Sequence, residues 1–419
     1  MTYDFDTIVP RRGTGSVKWD EARDGVLPMW VAEMDFAVAP CIQHAILERA
    51  KHPIFGYVSV PESYYYALTK WYAERHNWTI ERQSIIYTTG VVPAVSAILQ
   101  SVIQPGEKVI VQGPAYNCFF SCIRNSGAEL SVNPLLRFEI DEHSFSYRLD
   151  LEDLECRCAD DTAKVLIMCN PHNPSGRCWS REELLAVADI CERHDVLVIA
   201  DEIHNELTAP STQYTPWGTL GSRYQRNAAI CVSASKSFNI AGLQMANIII
   251  SDQKLRRRVD KRININETCD VGPFGYVAAT AAFSIEGAEW LDALRKYLWD
   301  NYQTFADFMH THVPQCKLTR LEATYLVWVD VSTIMSESER LAELLEQDAD
   351  LWVNPGSHYG EKHEPVSGDN TRPATSRSQR PSYLRFNIAC PRQQMLEGLR
   401  RFADFINKIQ QQQEHLTSQ

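Results

Sequence analysis

From about residue 85 the chain alternates short apolar runs with helical patterns, and this alternation constrains the fold more than any other feature. The runs are Ile85-Ile86-Tyr87, Lys108 to Val111, Val165 to Met168, Val196 to Ala200, Ile230 to Val232 and Ile248 to Ile250. They lack the period-two pattern of a half-exposed strand, as expected for strands covered on both faces. The clearest intervening helix starts at Ser180. Glu183 follows three residues later, forming a capping box ahead of Leu184, Val187, Ala188 and Cys191. Strands alternating with helices predict an α/β fold with a mainly parallel sheet wrapped by helices.

The rhythm changes near residue 286. Ala288 to His310 reads as one long amphipathic helix, with Trp290, Leu291, Leu294, Leu298, Tyr302 and Phe305 near helical spacing. A strand (Tyr325 to Val331), a helix (Glu339 to Gln347), two short strands (Asp350 to Val353, Tyr383 to Ile388) and a terminal helix from Arg392 follow. The expected division is a large domain over residues 46–285 and a smaller α+β domain built from 1–45 and 286–419. Between Glu361 and Ser382 the sequence is polar and rich in Ser, Arg, Pro and Thr, which reads as a loop. A chain of 419 residues has ample material for an apolar core without a metal or disulfide staple.

The net charge of −12 argues against a nucleic-acid partner, which requires a basic surface. The basic run Arg256-Arg257-Arg258, with Lys261 and Arg262, reads as a solvated helix face. No apolar stretch approaches the ~18 residues that cross a bilayer, so no membrane association is expected. Met1 to Arg12 has early acids and no apolar core of a signal peptide. The expected location is cytoplasmic. The 12 cysteines include no Cys-x-x-Cys pair, and neither Cys156-x-Cys158 nor Cys118-x-x-x-Cys122 has partners at zinc-site spacing. Reduced thiols and no metal site are expected.

Several strand ends carry residues capable of chemistry. In Ser233-Ala234-Ser235-Lys236-Ser237-Phe238-Asn239 a lysine follows a buried strand among hydroxyls. It is either a snorkelling surface residue or a functional amine. Nearby Gly242 and the hydroxyls favour a phosphate-bearing cofactor. Asp201, in Asp201-Glu202-Ile203-His204, ends another strand and is either a helix N-cap or an acid at the functional edge of the sheet. Asn170-Pro171-His172-Asn173-Pro174-Ser175-Gly176 reads as a tight turn that also offers the Asn173 amide to a ligand. Thr88-Thr89-Gly90-Val91-Val92-Pro93 opens a helix whose free backbone N–H groups form an anion site. Tyr116 is either core packing or a platform for a flat ring.

In this order, the glycine loop, the aromatic, Asn-Pro-Ser-Gly, Asp-x-x-His and Ser-x-x-Lys resemble the fold-type I pyridoxal-phosphate enzymes, the aspartate aminotransferase superfamily. The resemblance covers nearly the whole chain. Arg11-Arg12-Gly13-Thr14 with Lys18-Trp19-Asp20, Pro28 to Phe36, Phe55-Gly56-Tyr57, Asp201 to His204 and Ser235 to Ile240 narrow it to the MalY/PatB branch of cystathionine β-lyases and related C–S lyases. That resemblance implies a seven-stranded, mainly parallel sheet in the large domain. It also implies pyridoxal 5′-phosphate held as a Schiff base on Lys236, with Asp201 at the pyridinium nitrogen. It places Asn173 at the ring O3′, Tyr116 on the ring face, and Val91, Val92, Ser233 and Ser235 around the phosphate. Tyr57 resembles a residue that reaches the site of the neighbouring subunit of a homodimer, for cofactor and substrate alike. Arg385 resembles the arginine that grips the substrate carboxylate, and the resemblance implies Asn173 as a further substrate contact.

Two positions depart from the wider superfamily. His204 stands where many members have tyrosine, which leaves its contact with O3′ open. Gln244 stands where many have a phosphate-binding arginine, so neutral donors must compensate. The implied chemistry begins when Lys236 removes the Cα proton of an amino acid. A thiolate then leaves Cβ, and the remainder hydrolyses to pyruvate and ammonia. An aminotransferase is the first rival, and a regulatory protein on the same fold is the second. The intact set of Lys236, Asp201 and Arg385 argues against loss of catalysis, while an added regulatory protein partner stays open.

Overall fold

A computed structural model describes residues 3–360 and 382–417. Of the polar stretch expected as a loop, only Ser382 falls among them. In chain order the strands are β1 (Leu27–Pro28), β2 (Ile85–Thr88), β3 (Lys108–Gly113), β4 (Glu129–Pro134), β5 (Leu136–Glu139), β6 (Ser144–Arg148), β7 (Ala163–Cys169), β8 (Leu197–Asp201), β9 (Ala228–Val232), β10 (Ala246–Ile249), β11 (Lys317–Thr319), β12 (Leu326–Asp330), β13 (Leu351–Trp352), β14 (Asn354–Pro355) and β15 (Tyr383–Asn387).

The central sheet has seven strands in the order β2-β10-β9-β8-β7-β3-β4. From β9 to β4 every pairing is parallel, whereas β10 runs antiparallel to both its neighbours. The six apolar runs expected as strands fall on β2, β3, β7, β8, β9 and β10. Alternate residues feed two cores, one on each side of the sheet. Leu166, Met168, Val198 and Ala200 join one; Val165, Ile167 and Ile199 join the other. Burial on both faces explains why these strands read as continuous apolar runs. The capping box forms as expected on the helix Arg181–Arg193, where Ser180 and Glu183 exchange bonds with each other's backbone.

The second sheet has the order β14-β15-β12-β11-β6-β5. Its outer hairpin, β5 and β6, comes from within residues 46–285, and β6 pairs in parallel with β11. This sheet therefore crosses the division expected at residue 286. The long helix runs Ile285–His312, longer at both ends than the pattern suggested.

The N-terminal segment ties the two parts together. β1 pairs in parallel with β13. Beyond it, Asp35 is buried and accepts bonds from Lys18 Nζ (2.7 Å), Trp19 Nε1 (2.8 Å), Arg11 Nη1 (2.9 Å) and Gln394 Nε2 (2.8 Å). Asn239 bonds to Met34 through both its side-chain oxygen and nitrogen. These contacts pin residues 30–36 beside the Ser233–Asn239 loop.

Candidate active site

The parallel strands β7, β8 and β9 end along one edge of the central sheet, where an α/β fold opens its crevice. Asn170–Gly176, Asp201–His204 and Ser233–Asn239 follow those three ends. The helix Val91–Val102 begins just after β2 on the same edge, and no side chain caps it. Its first-turn N–H groups have no intrahelical acceptor.

Two chambers meet there. The inner one, about 200 Å³, is lined by Gly90, Val91, Val92, Asn173, Asp201, His204 and Ser235, among others. The outer one, about 560 Å³, is lined by Trp30, Asn354, Tyr359 and Arg385, among others. Lys236, Tyr116 and Ala32 line both. The lysine thus stands at the junction.

Lys236 Nζ donates to the Ala32 carbonyl at 2.6 Å. Burial, reinforced by the Arg385 charge, pushes its pKa down to about 8, against the pull of Glu33 and Asp201. Asp201 is buried and accepts from the Ile203 N–H at 3.1 Å. Burial pushes its carboxyl up to about 6, although Ile203 and Lys236 work the other way. His204 is also buried, and burial with the nearby Lys236 and Arg385 charges pushes it down to about 3. Its imidazole is therefore neutral, and Nδ1 has no partner among the described residues.

Arg385 lies in the middle of β15, paired across the sheet with Trp328 and Asn354. Only 2% of it is exposed. Nη2 donates to the Trp30 carbonyl (2.6 Å) and Nη1 to Asn173 Oδ1 (3.2 Å), while the ring of Tyr359 lies 5.0 Å from its Cζ. Nε has no partner, and no carboxylate pairs with this guanidinium among the described residues. A buried cation without an acid suits an incoming carboxylate.

Other expected residues behave differently. Ser235 lines the inner chamber, but Ser233 does not. The Ser233 hydroxyl donates to the Met245 carbonyl (2.6 Å) and accepts from the Ser235 N–H (3.0 Å), so it shapes the loop. Tyr57 is 94% exposed and lines neither chamber within one chain. Gln244 is exposed and left-handed, with φ 52°, at the end of the short turn Ala241–Leu243. Sequence reasoning missed the carbonyls of Trp30 and Ala32, which anchor Arg385 and Lys236. A backbone carbonyl has no residue signature, although the Pro28 to Phe36 string marked the segment.

Residues 25–402 match aminotransferase class I and II. The chain belongs to this family. It is similar to cystathionine beta-lyase PatB of Bacillus subtilis (strain 168), with 36% identity across 95% of this chain and 98% of that protein. Protein MalY of Escherichia coli (strain K12) is 30% identical across 97% of this chain and 99% of its own. Among solved structures, cystalysin from Treponema denticola, which contains a pyridoxal 5′-phosphate cofactor, superposes with a TM-score of 0.89. It has 30% identity and covers 98% of this chain and 100% of that one. These relatives place the chain in the MalY/PatB branch of the aminotransferase family.

Proposed function

We propose that this family member is a pyridoxal 5′-phosphate-dependent C–S β-lyase. It cleaves cystathionine or other cysteine S-conjugates to a thiol, pyruvate and ammonia. The carrying observation is the full-length similarity to lyases, joined to a buried lysine at the junction of two chambers. The inner chamber suits the cofactor on its own chemistry. It offers unpaired helix N–H groups for a phosphate, a buried carboxylate for a pyridinium, and an orphaned His204 Nδ1.

In this reading Val91, Val92 and Ser235 would hold the phosphate, Ser233 supports Ser235, and Tyr116 would flank the ring. Asp201 would pair with the ring nitrogen, Asn173 and His204 would bond to O3′, and Lys236 would hold the cofactor covalently. When bound, pyridoxal 5′-phosphate supplies an electron sink for negative charge at the substrate Cα. Arg385 and Asn173 orient the substrate carboxylate, which fixes the Cα–H bond relative to Lys236. Lys236, with its pKa lowered to about 8, is suited to accept the Cα proton near neutral pH. The thiolate then leaves from Cβ.

The reading includes a homodimer in which Tyr57 reaches the partner's site. It also includes a cytoplasmic location, with which 12 free thiols are compatible. No helix among the described residues is long and apolar enough to cross a membrane.

The deciding experiment supplies cystathionine without any keto acid. Pyruvate, ammonia and thiol should accumulate over many turnovers, and Lys236→Ala should remove them. Turnover that stops after one cycle until a keto acid is added would make the protein a transaminase.

A further inference from the structure

The segment that closes β8 buries three acids, Asp201, Glu202 and Glu206, and their surroundings differ. Asp201 lies near the Lys236 charge. Glu206 pairs with His76 Nε2 at 2.6 Å and Arg75 Nε at 3.4 Å, and accepts from Trp71 Nε1 at 2.6 Å. Burial alone would raise its carboxyl, but His76 and Arg75 bring it below the ordinary value. Glu202 is only 1% exposed, and no cation pairs with it among the described residues. Consecutive residues leaving a strand point to opposite sides, and Glu202 lines neither chamber.

The partners of Glu202 are neutral donors. Oε1 accepts from the Trp217 N–H at 2.7 Å, and Oε2 from the Tyr214 hydroxyl. The other titratable groups within reach of its charge are Asp201, Tyr72, Cys178 and Cys231, none of them a cation. His76 stands beyond Tyr214, with ring centroids 5.2 Å apart, and is engaged by Glu206. A buried carboxyl without a cation keeps its proton. Burial pushes Glu202 up to about 8, although Tyr214 and Trp217 pull the other way, and the Asp201 charge adds to the rise.

We propose that Glu202 is a positioning residue that acts through Asp201: it stays uncharged while tying the end of β8 to Trp217, so that Asp201 alone brings negative charge to the ring nitrogen. The proposal rests on the reading of Asp201 as the partner of that nitrogen, and deepens it. The ring has to take up negative charge from the substrate Cα. One carboxylate against one pyridinium leaves that end of the ring balanced. A second carboxylate, on the next residue, would oppose the arriving charge.

The test compares three full chains loaded with pyridoxal 5′-phosphate: the unaltered protein, Glu202→Gln and Glu202→Ala. Glutamine keeps an oxygen for the Trp217 N–H and carries no charge, whereas alanine keeps neither bond. With cystathionine at pH 7, Glu202→Ala should lower kcat about tenfold with KM little changed, and Glu202→Gln should restore most of that loss. The cofactor's visible absorption should be the same in Glu202→Gln and the unaltered protein at pH 7, and the two should part above about 8, where Glu202 ionises. Urea unfolding of the cofactor-free chains gives a reading without turnover. The proton on Glu202 favours the fold below the ordinary 4.5, and this contribution is lost as pH rises through about 8. Glu202→Gln should therefore gain stability over the unaltered protein as pH rises to about 8, and no further. Full activity in Glu202→Ala, no rescue by Glu202→Gln, a cofactor band already shifted at pH 7, or a stability difference indifferent to pH would each overturn the proposal. If Glu202→Ala does not fold, the comparisons with Glu202→Gln decide alone. No pyruvate from cystathionine would overturn the lyase reading, while absorption and unfolding still judge Glu202.

Discussion

Asp201 shows how a single buried group is held out of balance until its partner arrives. Its carboxyl sits at about 6 in the folded chain, above the ordinary 3.8. A raised acid stabilises the fold only where it is protonated. The stabilisation is present below the unfolded value and lost as pH rises through about 6. Ionised Asp201 therefore costs the cofactor-free protein stability at neutral pH. Two pH units correspond to about 3 kcal/mol, reduced because Lys236 loses a favourable neighbour when the acid is removed. Asp201→Asn keeps an oxygen for the Ile203 N–H, so the loop geometry survives. We expect the cofactor-free variant to be more stable by roughly 1–3 kcal/mol at pH 7.5 and unchanged near pH 4, measured by urea unfolding at both. With cofactor the same change should lower lyase activity by about a hundredfold or more, as loss of a preorganised charge does. A variant less stable than its parent at pH 7.5 would contradict this account of the site.

At the scale of elements, the turn after β7 shows how tightly the fold fixes the site. Gly176 has φ +70°, a left-handed conformation, and a Cβ there would lie 2.4 Å from Leu321 Cδ1. Its carbonyl accepts from Glu322 and Ala323, and its N–H donates to His172. The turn is thus tied to the chain just before β12. Gly176→Ala should destabilise the protein by about 1–3 kcal/mol and shift Asn173 relative to Arg385, raising KM more than it lowers kcat. Thermal unfolding with steady-state kinetics checks both. Sequence and structure part company along the same lines. The six strands buried on both faces were legible because their apolar runs are unbroken. The edge strand β4 was not, since Glu129-Leu-Ser-Val-Asn-Pro is only partly buried. The hairpin β5–β6 was also missed: β5 is largely exposed, and although the two strands pair locally, the sheet they extend is reached only through β11, more than 150 residues away. The meeting of Asn173, Asp201, Lys236 and Arg385 was legible through side-chain motifs. The support from Trp30 and Ala32 is made by main-chain atoms that any residue carries.

The whole molecule leaves an apolar surface that one chain does not cover. Leu47 (58%), Ile54 (66%), Phe55 (54%), Tyr57 (94%) and Tyr66 (70%) are exposed within a short stretch of sequence. Phe55 packs on Phe274 at 5.8 Å, and Val58 bridges to Val271, so this stretch is ordered against the body. Ordered apolar side chains facing water mark an association surface, and a symmetric pair of copies is the commonest way to cover one. A tyrosine exposed on that surface cannot serve its own chain's chambers, but it suits a site completed in trans. Sedimentation should therefore show a dimer. Subunit mixing tests the shared site more sharply. The Lys236→Ala dimer should be inactive and the Tyr57→Ala dimer weakly active, for different reasons. Subunits exchanged at equal amounts make half of the dimers hybrids. Each hybrid holds one site with Lys236 from one subunit and Tyr57 from the other. About a quarter of the unaltered activity should return. Hybrids that form without any gain would place Tyr57 outside the reaction and leave it only a role in association.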